Sequence, residues 1–119
     1  MREYQEFHTD LFFVSGLTYV LTLMHPMHYM FVAPAKSKSA PDLLGVIRKQ
    51  LRSAGARGIK ITLLRCDRES AIVAIEPDLN AEGVTLNTTA EGGAVPTVER
   101  AVRFIKERLR GVILSLIHI

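Results

Sequence analysis

The first third of the chain alternates short apolar runs with breaks, which is typical of strands joined by tight turns. Residues 7–14 and 17–24 are rich in aromatic and β-branched side chains, and the Ser-Gly pair at 15–16 predicts a two-residue hairpin turn between them. Pro26 ends the second run, because proline cannot donate a hydrogen bond to a strand ladder. Residues 28–32 predict a third strand. Short connections between these strands indicate an antiparallel meander.

From residue 39 onward, helical and alternating patterns follow one another. Ser39 and Asp42 resemble a capping box, and apolar residues recur at helical spacing up to Gly55, a typical helix end. The pattern then predicts a strand over 59–66, a helix over 69–81 restarted at Pro77, a strand over 84–88 and a long helix from Pro96 to about residue 110. Residues 34–39 are expected to form a loop. Late alternation of strands and helices favours parallel pairing, so we predict one α/β domain with a mixed five-stranded sheet flanked by helices.

The composition excludes several classes of protein. The 119 residues are enough for one domain, and 48% hydrophobic with 23% charged residues is a globular balance rather than that of a disordered tail. Cys66 is the single cysteine, which excludes an internal disulfide and a Cys-rich zinc module and fits a reducing compartment. Residues 11–35 contain no Asp, Glu, Lys or Arg, but Gly16 and Pro26 interrupt them and His25 and His28 lie within them, so we expect strands there and no membrane partner.

Positive charge is concentrated in two segments. The chain carries a net charge of +3, and residues 99–110 alone hold five basic residues against two acids, which is also +3. Residues 48–68 hold seven basic residues, with Asp67 as their one acid. Clustered positive charge indicates a polyanion partner, because phosphate contacts release counterions. The alternative is two solvated helix faces.

Three acids stand where chemistry is expected. Asp10 lies in an apolar strand, where a carboxylate needs a cation or hydrogen-bond partners. Asp67 ends the fourth predicted strand, a favoured place for ligands, and Glu99 lies one turn inside the last helix. A ridge of that helix, spaced i, i+4, i+7 and i+11, comprises Glu99, Arg103, Lys106 and Arg110. Such a ridge could hold metal at one end and a phosphate backbone along the rest. Alternatively, Asp10 caps a turn, Asp67 is a helix N-cap, and Glu99 pairs with Arg103.

The segments HTDLFFVSG around Asp10, LLRCDRESAI around Asp67 and VPTVERAVRFIKERLR around Glu99 resemble the integrase catalytic core of retroviruses and LTR retrotransposons, within the ribonuclease H-like superfamily. Each segment matches an acid of that family: one in the first strand, one ending the fourth strand, and a glutamate on the long helix. The element order agrees over residues 5–112. The resemblance implies a ribonuclease H-like sheet in which three antiparallel strands are followed by parallel strands.

The resemblance also implies a function. Asp10, Asp67 and Glu99 would bind two Mg²⁺ or Mn²⁺ ions and catalyse 3′-end processing and DNA strand transfer. Arg103 and Lys106 match the family's basic residues on viral DNA, and Arg110 extends that ridge. The resemblance also implies a homo-oligomer, a dimer or larger. It implies an intracellular location, in the nucleus or in a cytoplasmic particle of a retroelement.

The sequence departs from the family in three respects. The 31 residues between Asp67 and Glu99 are fewer than is typical, and the family's flanking zinc and DNA-binding domains have no counterpart in the sequence. We expect the core-like domain to span 1–112 and the apolar tail 113–119 to be non-native or truncated, because LSLIHI resembles translated linker. The alternatives are an inactive core remnant that binds DNA or self-associates, another ribonuclease H-like nuclease, and an unrelated α/β interaction domain.

Overall fold

The computed structural model describes residues 5–25, 29–67, 70–89 and 96–117; the side chains of Gln5, Thr89, residues 96–99 and residues 116–117 lie outside this description. The elements in chain order are β1 (Gln5–Val14), β2 (Leu17–His25), β3 (Met30–Ala35), α1 (Ala40–Ala56), β4 (Ile61–Asp67), a 3₁₀ helix (Ala71–Ile75), α2 (Glu76–Ala81), β5 (Thr85–Thr89) and α3 (Pro96–Ile117). This order confirms the one that the sequence predicts.

The strands form one mixed sheet in the order β3-β2-β1-β4-β5. β2 pairs antiparallel with both β1 and β3, whereas β4 pairs parallel with β1 and β5. The hairpin between β1 and β2 turns at Ser15 and Gly16, whose φ angles of 52° and 79° are those that a primed two-residue turn requires. The predicted ribonuclease H-like sheet, with three antiparallel strands followed by parallel ones, is therefore confirmed.

Most element bounds differ by one or two residues from those that the sequence predicts, and two elements differ by more. β3 runs from Met30 to Ala35 and includes Pro34, which we expected in a loop. An edge strand tolerates proline because one side of its backbone needs no ladder partner. The predicted start of β3 at His28 lies outside the described residues. α3 continues to Ile117 instead of ending near residue 110, because Ile113 extends the apolar seam that packs on the sheet. Within the described part of the chain, no helix is long and apolar enough to cross a membrane.

Side chains of β1 alternate between the two faces of the sheet. Phe7 belongs to the apolar cluster on the side of α1 and α2, and it is fully buried. Phe12 and Val14 belong to a second cluster with Val102 of α3. Because successive strand residues point to opposite faces, Asp10 shares the face of Phe12, on the side of α3.

A chain of hydrogen bonds fixes α1 on the opposite face. The Thr22 hydroxyl donates to Gln50 Oε1 at 2.6 Å, and the Thr22 and Thr9 oxygens lie 3.0 Å apart. A hydroxyl has one proton, so Thr9 must donate to Thr22. Gln50 Nε2 in turn donates to the Val20 carbonyl at 3.3 Å. All three polar side chains are buried, and the chain of bonds ties β1, β2 and α1 together.

Candidate metal and nucleic-acid site

Asp10 and Asp67 lie on neighbouring strands. The parallel pairing of β1 with β4 sets His8 opposite Arg65, and two residues further along each strand are Asp10 and Asp67. Each aspartate is two residues from its member of that pair, and residues two apart in a strand share a face. Both aspartates therefore lie on the face that α3 covers. Adjacent strands are about 4.8 Å apart. The topology therefore places two carboxylates, 57 positions apart in the sequence, next to each other.

Asp10 is bound through both of its carboxylate oxygens. The Leu11 amide donates to Oδ1 at 2.8 Å, and the Lys106 ammonium donates to Oδ2 at 2.8 Å. The Asp10 side chain is 41% exposed and that of Lys106 is 24% exposed. The expectation that this carboxylate needs a cation partner is therefore met, by a lysine from α3. Asp10 lies within a strand, so the alternative that it caps a turn is wrong.

Asp67 is the exposed last residue of β4 and pairs in register with Thr89 of β5. The following 3₁₀ helix is capped by Ser70, whose hydroxyl accepts from the Ile72 amide at 3.1 Å. The alternative that Asp67 is a helix N-cap is therefore wrong. Its position at the carboxyl end of a central strand leaves it accessible to a ligand.

Glu99 lies in α3, and its side chain lies outside the described residues. It precedes Lys106 by seven residues, close to two turns of 3.6 residues each. This spacing gives the two positions of α3 nearly the same direction around the helix axis. Among the residues whose side chains are described, no group of three His, Cys, Asp or Glu could hold a metal ion. The three-carboxylate site remains a prediction.

The two described aspartates fit a divalent cation. Carboxylate oxygens are the ligands that Mg²⁺ and Mn²⁺ prefer. Lys106 already places a cationic group on Asp10 Oδ2, so the space beside this oxygen accommodates positive charge. Two carboxylates on adjacent strands also repel each other, and a divalent ion would offset that repulsion.

The basic residues of α3 have different surroundings. Lys106 turns toward the sheet and binds Asp10, a contact between residues 96 positions apart that no local sequence signal reveals. Arg103 is exposed, Arg110 is half-buried, and Arg108 lies over the Phe104 ring at 5.5 Å. Arg103 is therefore open to solvent, whereas Lys106 is engaged within the domain.

A second charged group lies on the same face, one step before Asp10. His8 is buried with its Nε2 3.3 Å from Glu6 Oε1, and Arg65 donates to the same oxygen at 2.9 Å. Burial lowers the pKa of His8 despite the Glu6 charge, and His25 and Arg65 lower it further. Burial alone would raise the pKa of Glu6, but Arg65 outweighs it and the pKa falls. The ion pair of Glu6 with Arg65 ties β1 to β4, whereas burial favours the neutral form of His8.

Cys66 precedes Asp67 but points to the other face, into the apolar cluster with α1 and α2. Burial, together with the negative charges of Asp67, Asp10 and Glu76, raises the pKa of its thiol to about 12. A thiol held protonated is a poor nucleophile. Cys66 is therefore a small buried residue of the core.

Comparison with known proteins supports the fold. No family model and no curated protein matches this sequence. Among solved structures, the chain is similar to the catalytic core domain of BIV integrase, with a TM-score of 0.66 and 16% sequence identity. The match covers 92% of this chain and 72% of that chain. The chain thus has the ribonuclease H-like fold of a retroviral integrase catalytic core.

Proposed function

We propose that this chain is a metal-dependent polynucleotidyl transferase of the integrase type, which processes a DNA 3′ end and joins it to a second DNA. The observation that carries the proposal is the parallel pairing of β1 with β4, in which His8 lies opposite Arg65, two residues before Asp10 and Asp67, on the face that α3 covers. In a fold shared with an integrase core, that helix also carries Glu99 and a basic stripe. The DNA of a retroelement, in the nucleus or a cytoplasmic particle, is the substrate this function implies.

Asp10, Asp67 and Glu99 are the residues that would hold two Mg²⁺ or Mn²⁺ ions. Such a pair supplies activation of a water or a 3′-hydroxyl and stabilisation of the leaving oxygen. The role of the chain is to hold the carboxylates in place. β1 and β4 do so through the sheet, which fixes the relative positions of Asp10 and Asp67.

Arg103, Lys106 and Arg110 would bind DNA phosphates and orient the backbone relative to the carboxylates. Contacts of this kind position DNA without reading its sequence. A planar guanidinium can bind a phosphate through two parallel hydrogen bonds, so Arg103 and Arg110 suit this role. We also propose a homo-oligomer, to be measured by sedimentation.

The test is Mn²⁺-dependent cutting and joining of a branched DNA substrate by the whole chain. We expect Asp10→Asn, Asp67→Asn and Glu99→Gln to lose both reactions. Asp78→Asn is the matched control, because it makes the same change at an exposed acid of α2. Circular dichroism melting would confirm that each variant is folded. Full activity in folded Asp67→Asn would contradict the proposal.

The second candidate is an inactive core that binds DNA or associates with itself. One observation favours it: Asp10 is already neutralised within the chain by Lys106, as a protein without metal would need. Titration calorimetry with MnCl₂ separates the two. A folded chain that binds DNA but no Mn²⁺ at millimolar concentration would establish the inactive core.

A further inference from the structure

Lys106 occupies the carboxylate oxygen on which a metal ion would depend. Its ammonium lies 2.8 Å from Asp10 Oδ2, while Oδ1 accepts from the Leu11 amide. Both oxygens of this carboxylate are therefore engaged. A divalent ion that binds Asp10 through Oδ2 meets a positive charge already in place.

Lys106 differs from Arg103, which lies one turn earlier on the same ridge of α3. Arg103 is exposed, whereas the Lys106 side chain is 24% exposed and turned to the sheet. A lysine ammonium is a compact point charge on a flexible four-carbon stem, whereas the arginine guanidinium is a planar fork. Lysine is thus the basic residue best able both to take the place of a cation and to move away from it.

We propose that Lys106 is an internal cation that competes with the divalent metal for Asp10, so that metal binding releases Lys106 toward the nucleic-acid phosphate. This inference rests on the proposed function, because it assumes that Asp10 binds metal. The metal-free chain keeps Asp10 neutralised, and its metal affinity is lowered by the competing ammonium. Binding of metal and exposure of a phosphate-binding lysine become a single exchange.

If Lys106 competes with the metal, replacing Lys106 should increase the affinity for metal. Replacing a residue that binds the metal would decrease it. Removing the Lys106 charge removes both the competing ion pair and the repulsion between two cations. We expect the dissociation constant for Mn²⁺ to fall roughly three- to tenfold, from the size of a part-exposed ion pair and of charge repulsion across water. Arg103 is exposed and its charge is screened by salt, so its removal should change that constant less than about twofold.

The experiment is titration calorimetry with MnCl₂ on the whole chain, without DNA, at physiological ionic strength. The variants are Lys106→Met, which keeps an apolar stem, Lys106→Gln, Arg103→Gln as the matched control, and Asp10→Asn. We expect tighter binding in both Lys106 variants, unchanged binding in Arg103→Gln and loss of binding in Asp10→Asn. Two Lys106 variants guard against a folding defect in either one.

The two proposals fail in different ways. If Asp10→Asn abolishes Mn²⁺ binding but both Lys106 variants bind no tighter than the native chain, the competition is refuted and the metal site stands. If Asp10→Asn binds Mn²⁺ as the native chain does, the proposed function itself fails. The NMR signal of the Lys106 side-chain ammonium gives a second readout. It is assigned from its absence in the spectrum of Lys106→Met. The signal should shift on titration with Mg²⁺, and an unchanged signal at saturation would also refute the competition.

Discussion

Replacing Thr22 with valine removes one hydroxyl from the buried hydrogen-bond chain that joins β1, β2 and α1. Thr22 is completely buried, and its hydroxyl both donates to Gln50 Oε1 and accepts from Thr9. Valine leaves the Gln50 carbonyl oxygen and the Thr9 hydroxyl without these partners. A buried unsatisfied group costs roughly 1–3 kcal/mol, so we expect Thr22→Val to lower the free energy of unfolding by about 2–4 kcal/mol.

The partner substitution, Gln50→Leu, has a smaller expected cost. Thr9 and Thr22 can still bond each other, and the bond lost to the Val20 carbonyl is the longest of the chain at 3.3 Å. We expect about 1–2 kcal/mol. In the double variant Thr22→Val/Gln50→Leu, the Gln50 amide that Thr22→Val leaves without a partner is no longer present. Its cost should therefore fall below the sum of the single variants by roughly 1–2 kcal/mol.

The assay is urea denaturation followed by circular dichroism, with the same slope m required in all variants. Thr18→Val is the matched control, because it makes the same change on the same strand and face at a residue that is 8% exposed. That control should cost less than about 1 kcal/mol. Additive costs for Thr22→Val and Gln50→Leu, to within about 0.5 kcal/mol, would refute the hydrogen-bond chain.

Three further outcomes follow from the described residues. The native chain should react with a thiol reagent at Cys66 only after unfolding, since its thiol is buried and its pKa is raised to about 12; rapid reaction in native buffer would contradict this. The pKa of His8 is lowered from 6.5, so the unfolded chain takes up a proton there first and stability should fall as the pH drops below 6.5. His8→Gln should reduce this loss, and an identical pH profile would contradict the assignment. Arg103→Gln should weaken DNA binding equally for all sequences and reduce the salt slope by about one; a sequence-dependent loss would argue for base contacts.

Local patterns were sufficient to predict the elements of the fold. The Ser15-Gly16 pair has the positive φ angles that its predicted turn type needs. The errors came at element ends. The pattern predicts a loop at Pro34, because a proline is tolerated in β3 only where β3 is an edge strand, and strand order is not a local property.

The candidate acids could be predicted as residues but not as a site. Asp10 was identified because a carboxylate in an apolar strand needs a partner. Its neighbour Asp67 follows from the register of β1 with β4, which the chain fixes only when the sheet assembles. The Lys106 contact needed α3 to pack across that same face, driven by the burial of Val102 against Phe12 and Val14.

The sequence by itself determined the order of strands and helices and the acidic and basic residues available for chemistry, because the elements depend on near neighbours along the chain. Only the tertiary structure decided which of those residues meet. The contact of Lys106 with Asp10 spans 96 positions of the chain, and the strand pairing that brings Asp67 close to Asp10 spans 57; both arise from tertiary packing rather than from any local preference. For this reason a lysine expected on DNA proves to be bound to a carboxylate expected on metal.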